Sequence, residues 1–200
     1  MKNTITIITA LLFAALIVYA ADVVVYPTTT GYPYKCPIPK TGQTNSYVAE
    51  DDGALEKGIA WPNPRFTVQA NTNCVLDNLT GLMWARNANQ FGKVDWGTSI
   101  TNCNSLDYGG YTDWRLPNIK ELYSLIAWQY CNPALSDGTG TNKWTTDLGP
   151  FVDVQSFYYW TSTTNAGYTD YAWGVRLSYG AVVSVTKDTV YYVWPVRGGY

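Results

Sequence analysis

The segment "TDWRLPNIKELYSLIAW", residues Thr112 to Trp128, carries the most specific folding signal in the chain. Pro117 disfavours helical geometry at the residue before it, so the segment begins extended. Asn118 can then cap a helix, and Glu121 stands where a capping box places its acid. The apolar residues that follow fall on one stripe: Ile119, Leu122, Tyr123 and Ile126. The segment therefore predicts a helix over residues 118–127 that packs one face on a core.

A second helix is predicted upstream, in the segment "DWGTSITNCNSL" from Asp95 to Leu106. Its apolar residues recur at spacings of four, three and three, which places them on one helical face. These residues are Trp96, Ile100, Cys103 and Leu106. Since Cys103 is on that face, we expect its thiol to be buried.

Strand patterns surround the two helices. Upstream, "RFTVQA" and "CVLDNLTGLMWAR" indicate a strand, a second strand, a turn and a third strand. Downstream of Cys131, a loop rich in turn formers precedes four alternating segments: Tyr158 to Thr161, Tyr171 to Ser178, Val182 to Thr186 and Tyr191 to Arg197. Tyr179 and Gly180 predict a hairpin turn between the second and third of them. This order predicts an α+β fold in which two helices pack on short antiparallel strands.

The first residues have the pattern of a secretory signal peptide. Lys2 supplies the positive start, residues 5–19 are apolar apart from two threonines, and small residues end the run. We therefore predict a leader over 1–20, an irregular lead-in over 21–58 and one domain over 59–200. A retained membrane anchor is the alternative, although the apolar run is short for a membrane span. Cleavage would leave a secreted or cell-surface protein with no membrane segment.

The chain has four cysteines, Cys36, Cys74, Cys103 and Cys131, and no histidine. An even number of cysteines on an exported chain predicts two disulfides. Three pairings are open, and we favour Cys36–Cys74 and Cys103–Cys131 because they join near neighbours. Without histidine or a Cys-x-x-Cys motif, a structural zinc site is not expected. The absence of histidine also excludes a Ser-His-Asp triad and a Cys-His pair.

Charge and motif content narrow the range of partners. The chain has 13 basic and 15 acidic residues, for a net charge of −2, and it lacks a basic run. Nucleic acid is therefore not an expected partner. Calcium-dependent lectin sites present clustered oxygens from Glu-Pro-Asn or Gln-Pro-Asp and then Trp-Asn-Asp, and the chain contains none of these. Scattered carboxylates such as Asp51 and Asp52 leave calcium open, but no motif requires it, and we predict no cofactor.

Five segments make the chain recognisable: "DNLTGLMWAR", "GGYTDWRLPNIKEL", "YYWTSTT", "YAWGVRLSYG" and "YYVWPVRGG". Together they resemble the domain of unknown function 1566 family, which is the C-terminal domain of the Legionella collagen-like adhesin. The resemblance runs from about Pro39 to the C-terminus. It implies a C-type-lectin-like fold and a link to polysaccharides and cell attachment. The chain has no Gly-X-Y repeat, so collagen-driven trimerisation is not implied.

The same fold is shared with formylglycine-generating enzymes, whose oxidation chemistry uses a reactive cysteine pair near the C-terminus. Here no cysteine follows Cys131, and the last strand region carries Trp194, Arg197 and Tyr200 instead. The resemblance therefore gives no counterpart for the catalytic residues. We predict that the chain is not an enzyme.

The stretch "SFYYWTSTTNAGYTDYAW", residues 156–173, divides between core and surface. Alternation assigns Phe157, Trp160 and Trp173 to the core, with either Tyr158 or Tyr159. Bulky residues in strand patterns are typical of a core, so we also place there Trp84, Trp114 and Trp194. Asp113, Arg115 and Arg197 are expected to form a structural ion pair that joins the second helix to the last strand.

The glycine-centred loop in that stretch is a candidate binding surface. Tyrosines among small polar residues on a rigid scaffold are typical of recognition surfaces. The predicted ligand-binding residues are Tyr168, Asp170, Tyr171, Arg176 and Tyr179. The expected function is binding of an extracellular polysaccharide or a cell-surface protein. The alternative is a structural subunit that self-assembles into an extracellular sheath or filament.

Overall fold

The computed structural model describes residues 38–146 and 149–198 and shows a mixed fold of short helices and two sheets. Its helices are α1 (Asp52–Leu55), α2 (Trp96–Asn104) and α3 (Ile119–Tyr123). Its strands are β1 (Phe66–Val68), β2 (Cys74–Asp77), β3 (Met83–Ala85), β4 (Lys93–Val94), β5 (Tyr158–Thr164), β6 (Tyr171–Arg176), β7 (Ala181–Thr186), β8 (Tyr191–Tyr192) and β9 (Val196–Arg197). The two predicted helices correspond to α2 and α3, whereas α1 lies in the segment expected to be irregular.

The first sheet has the order β1-β2-β3-β9 and the second has the order β4-β8-β5-β6-β7. In the second sheet β5 and β8 are parallel and pair Tyr159 with Tyr192, so the prediction of antiparallel strands is wrong at this pair. The last predicted strand is also divided, because β8 and β9 belong to different sheets. Pro195 lies between them and has no N–H to continue a ladder. Its carbonyl instead accepts the Ala85 N–H at 3.0 Å.

Helix α3 begins as the sequence predicts. The Asn118 side chain accepts a hydrogen bond from the Glu121 N–H at 3.0 Å, and the Glu121 carboxylate accepts one from the Asn118 N–H at 2.8 Å. This capping box satisfies two N–H groups at the start of the helix. The helix ends at Tyr123, before the predicted end at Ala127, and the chain continues in turns.

One ion pair ties the segment before α3 to β9, and a second holds the start of α3. Arg115 contacts Glu121 at 2.6 Å, and Arg197 contacts Asp113 at 2.6 Å. The hydrogen bond from Arg197 holds the pKa of Asp113 below its ordinary value of 3.8. Burial opposes ionisation of Glu121, but hydrogen bonds from Arg115 and the backbone outweigh it, so the Glu121 pKa lies below 4.5. The expected structural ion pairing is confirmed.

Strand β5 lies between two hydrophobic cores. Adjacent residues of a strand point to opposite faces of the sheet, so β5 can contribute to both. Tyr159 belongs to the first core, together with Trp84, Trp114, Leu122 of α3 and Trp194. Trp160 belongs to the second core, together with Cys103 of α2, Leu116, Ala172, Tyr191 and Val193. The chain is thus packed on both faces of its central strand.

The tryptophan predictions are confirmed at four positions and wrong at one. Of the five tryptophans predicted for the core, Trp84, Trp114, Trp160 and Trp194 are buried. Trp173 is half-buried and belongs to neither core. It pairs with Ser184, at a part of the hairpin that extends past the core residue Val175. Phe157, which is 36% exposed, is also outside the core. Alternation predicts the face of a side chain but not how far the core extends along the strand.

The predicted Cys103–Cys131 disulfide is not formed. Cys103 is fully buried on α2 and Cys131 is exposed, and both are free thiols. The fold places the Cys103 thiol in a hydrophobic core and the Cys131 thiol at the surface, so the two do not pair although they are near in sequence. Cys74 is also a free, buried thiol, and its favoured partner Cys36 lies outside the described residues. Burial raises the pKa of the Cys103 thiol to about 12, because the charged thiolate is disfavoured there.

The predicted leader lies outside the described residues. Within residues 38–146 and 149–198, no helix is long and apolar enough to cross a membrane. The described part of the lead-in contacts the region after α3: the Trp128 N–H donates to the Thr41 carbonyl at 3.1 Å, and the Thr44 N–H donates to the Gln129 side chain at 2.5 Å.

Candidate binding surface

The five predicted binding residues do not form one cluster. Tyr168 and Asp170 lie in the loop between β5 and β6, and Tyr171 begins β6. Arg176 ends β6, and Tyr179 lies in the turn before β7. Tyr171 and Arg176 are separated by about 17 Å of extended strand, at about 3.4 Å per residue. The predicted site is therefore divided between two ends of one hairpin.

The loop end is ordered by short polar contacts. The Gly167 N–H donates to the Asn165 side chain at 2.9 Å, and the Tyr171 N–H donates to the Tyr168 carbonyl at 2.8 Å. The Tyr168 side chain is 69% exposed, and its ring centroid is 5.8 Å from that of Tyr171. Asp170 lines a shallow cavity of about 430 Å³ with Thr169, Thr186, Lys187 and Asp188. Two carboxylates and one ammonium group make this cavity acidic.

The turn end brings a cation together with tyrosines. Gly180, with a φ of 79°, allows the chain to turn between β6 and β7. The Arg176 Cζ lies 5.2 Å from the ring centroid of Tyr158 and 4.8 Å from that of Tyr179. Its Nη1 donates a hydrogen bond to the Tyr179 hydroxyl at 2.8 Å. Tyr158 in turn stacks on Tyr191, with their centroids 4.9 Å apart. The guanidinium group is therefore held against two rings.

The aromatic surface continues from Tyr158 to a second cation. The Phe157 and Tyr158 ring centroids are 5.1 Å apart. The Lys93 Nζ lies 4.3 Å from the Phe157 centroid and 5.1 Å from the Tyr192 centroid. Lys93 is exposed on β4, where it pairs with Tyr192. We refer to this surface as the cation–aromatic patch, formed by Lys93, Phe157, Tyr158, Arg176, Tyr179 and Tyr192.

The cations of this patch keep their charge available. The ion pairs found in the described part of the chain involve other cations: Lys40, Arg65, Arg115 and Arg197. Neither Lys93 nor Arg176 contacts a carboxylate there. Cations over exposed rings can attract an anionic ligand while the rings contact its apolar faces. Residues 38–146 and 149–198 contain no group of three His, Cys, Asp or Glu residues arranged to hold a metal ion.

Four residues of the patch, Lys93, Phe157, Tyr158 and Tyr192, were not predicted as binding residues. Lys93 lies in a two-residue strand that has no periodic pattern, and Phe157 was assigned to the core. They meet because β4 pairs with β8 and β8 pairs with β5. The available signal was the run of four aromatic residues at 157–160, which exceeds what one buried face of a strand can hold.

A comparison with protein families identifies the domain. The sequence model of the Lcl C-terminal domain matches residues 73–197, more than half of the chain. The chain belongs to the Lcl C-terminal domain family. This agrees with the resemblance to the C-terminal domain of a collagen-like adhesin, and it indicates an adhesin-related domain of a surface or secreted protein. A comparison with curated proteins finds no match. The Lcl C-terminal domain match includes the whole cation–aromatic patch and excludes residues 38–72.

Proposed function

We propose that this Lcl C-terminal domain is a non-enzymatic binding domain that recognises an anionic extracellular polysaccharide through the cation–aromatic patch. The observation that carries the proposal is the pair of cations, Lys93 and Arg176, held over half-exposed rings with no carboxylate partner among the described residues. The sugar chain belongs to a cell surface or an extracellular matrix. The fold that presents the cation–aromatic patch is C-type-lectin-like, and binding of the polysaccharide needs no cofactor.

Each part of the patch suits a different part of such a ligand. Tyrosine rings offer an apolar face to the C–H groups of a sugar and a hydroxyl to its oxygens, at low entropic cost. The Arg176 fork can bind a sulfate or carboxylate through two N–H groups, and Lys93 supplies a point charge. Because the patch extends over several rings between these cations, it matches a chain better than a single small anion.

We propose no catalytic activity for the domain. The chain has no histidine, and the patch combines cations with phenol and phenyl rings, without a carboxylate to act as a base. No cysteine follows Cys131, so the oxidation chemistry of the formylglycine-generating relatives has no matching residues.

The test is binding of the purified domain to immobilised heparin, with neutral dextran as the comparison, measured by surface plasmon resonance at several salt concentrations. Arg176→Gln and Lys93→Gln should each weaken heparin binding roughly tenfold, because each removes a charge-assisted contact. Lys57→Gln removes one charge from an exposed lysine outside the patch and is the matched control. It should leave the affinity unchanged.

Equal loss of binding in all three variants would show that only the overall charge matters. That result would contradict binding at the cation–aromatic patch. Concentration-dependent polymers in size-exclusion chromatography, abolished by Tyr179→Ala, would also contradict it. That result would favour the structural subunit of a sheath or filament, with the patch as a subunit contact.

A further inference from the structure

A pocket of about 320 Å³ lies between the segment before β1 and the region after α3. Its lining includes Lys40, Glu56, Trp61, Gln129, Tyr130 and Thr141. The first three precede residue 73, so the pocket is not contained in the family-matched part of the chain. It is also separate from the cation–aromatic patch, with which it shares no residue.

The indole of Trp61 is fixed before any ligand arrives. Its Nε1 donates a hydrogen bond to the Lys40 carbonyl at 2.8 Å. The Arg65 guanidinium lies 4.4 Å from the ring centroid and is itself fully buried in an ion pair with Asp77. Gly42 approaches so closely that a side-chain carbon there would lie 2.7 Å from the ring. Trp61 is thus a rigid aromatic wall, and rigidity lowers the cost of binding.

The opposite wall carries oriented polar groups. The Gln129 Oε1 accepts hydrogen bonds from both the N–H and the hydroxyl of Thr44. This orients the side chain so that its Nε2 has only a long contact, 3.4 Å, to the Tyr130 hydroxyl. The Tyr130 hydroxyl donates to the Thr141 carbonyl at 2.7 Å. The amide N–H groups of Gln129 are therefore held in place with hydrogen-bonding capacity to spare.

The segment that bears Thr141 is held by Asp137. One carboxylate oxygen of Asp137 accepts the N–H of Gly140 at 2.9 Å and the hydroxyl of Thr139 at 2.7 Å. The other accepts the side-chain N–H of Asn142 at 3.0 Å. Burial opposes ionisation of Asp137, but these hydrogen bonds outweigh it and lower its pKa below 3.8. The wall is therefore preformed.

The charges around the pocket favour a neutral ligand. Lys40 and Glu56 are the charged residues of the lining, and they neutralise each other at 2.9 Å. A cationic ligand finds no unpaired carboxylate in the lining, and the Arg65 guanidinium on the Trp61 ring is itself paired with Asp77. An anionic ligand finds no unpaired cation in the lining. An aromatic wall facing amide and hydroxyl groups, with no net charge, suits a molecule with an apolar face and a rim of hydroxyls.

We propose that this pocket binds one neutral sugar residue, stacked on Trp61 and hydrogen-bonded to Gln129 and Thr141. The volume equals that of about ten liquid waters, which is enough for a monosaccharide or the end unit of a chain. This site is independent of the proposed function, because it shares neither residues nor charge with the cation–aromatic patch. The domain would then have two binding sites for glycans: this pocket for a neutral sugar residue and the cation–aromatic patch for an anionic polysaccharide.

The experiment is an NMR titration of the ¹⁵N-labelled domain with the methyl glycosides of glucose, galactose, mannose and N-acetylglucosamine. At least one glycoside should shift the Trp61 indole N–H and the Gln129 side-chain amide, with a Kd on the order of millimolar. Gln129→Glu keeps an acceptor for Thr44 but removes the amide donor. Thr141→Val keeps its shape and its carbonyl but removes the hydroxyl. Each should weaken binding at least fivefold, with the melting temperature as the check on folding.

Tyr179→Ala is the matched control and should leave the glycoside titration unchanged while it weakens heparin binding. The proposal is overturned if no glycoside gives a saturable shift at Trp61 up to concentrations on the order of 100 mM. It is also overturned if the shifts lie on the patch and disappear in Tyr179→Ala. Heparin binding reports on the patch alone, so failure of either site is recognised separately.

Discussion

Basic side chains are used differently on the two sheets. Around the four-stranded sheet, Arg65, Arg115 and Arg197 contact carboxylates at 2.9, 2.6 and 2.6 Å. On the five-stranded sheet, Lys93 and Arg176 lie over aromatic rings and contact no carboxylate among the described residues.

The difference separates cations that hold the fold from cations that a ligand can reach. Arg65 is the extreme case, because its side chain is fully buried and its Nε and Nη2 contact the two Asp77 oxygens, each at 2.9 Å. Removing either partner would leave the other as an unpaired buried charge. A cation over an exposed ring has no such partner to lose, and its field extends into solvent. Stability and binding should therefore respond to different sets of substitutions.

The largest effect is expected from Asp77→Ala. The substitution leaves the Arg65 guanidinium buried without its carboxylate, which should cost about 3–5 kcal/mol of unfolding free energy. Urea denaturation followed by far-UV circular dichroism measures it. Arg176→Gln is the comparison on the other sheet and should cost less, about 1 kcal/mol, because it removes cation–π contacts and one hydrogen bond but leaves no buried charge unpaired. A cost below about 1 kcal/mol for Asp77→Ala would contradict the proposal that the cations of the four-stranded sheet mainly stabilise the fold.

A smaller loss, about 1–2 kcal/mol, is expected from Glu121→Gln, which removes the ion pair with Arg115 and weakens the capping box. The loss should depend on pH. The folded-state pKa of Glu121 lies below 4.5, so its ionised form stabilises the fold fully above that value, and the stabilisation is lost as pH falls through the folded pKa. Asp113, with its pKa below 3.8, adds to the same trend.

Denaturation of the unmodified domain between about pH 6 and pH 3 should therefore show stability that decreases toward acid. Glu121→Gln should flatten part of that decrease, and the two proteins should converge at the acid end. Parallel curves for the two proteins would assign the acid sensitivity to other carboxylates.

The smallest effects are expected in the loop between β5 and β6. Tyr168→Ala should change stability by no more than about 0.5 kcal/mol, because the side chain is 69% exposed. It should also leave heparin binding unchanged, whereas Tyr179→Ala, at the turn end, should weaken it. Surface plasmon resonance of heparin binding by the two variants shows which of the two residues lies at the binding site. Equal weakening by both would show that the ligand covers the whole length of the hairpin.

Local patterns predicted the parts of the fold that depend on local chemistry. Asn118 and Glu121 are close in sequence, and the capping box follows from their spacing alone. The Asp113–Arg197 pair was also expected, because both residues flank segments with clear strand or helix signals. The division of the last strand was not expected, since it depends on which distant strands are free to pair with residues on either side of Pro195.

The candidate site was only partly predictable for the same reason. Arg176 and Tyr179 are three residues apart and meet across one tight turn, so their proximity was visible in the sequence. Lys93 reaches Phe157 only through the order β4-β8-β5, which no local pattern encodes. The Trp61 pocket depends on contacts between a segment without periodicity and a loop far along the chain.

The placement of Tyr159 and Trp160 on opposite faces of β5 has a consequence for how the domain opens. Neither core can lose its central strand while the other keeps it, because the two side chains belong to adjacent residues. The amide protons of β5 should therefore exchange with solvent only when the whole domain unfolds, at the slowest rates in the chain. A substitution that destabilises one core should lower the free energy of opening by the same amount for amides in both cores. The two halves of the domain would then unfold as one cooperative unit.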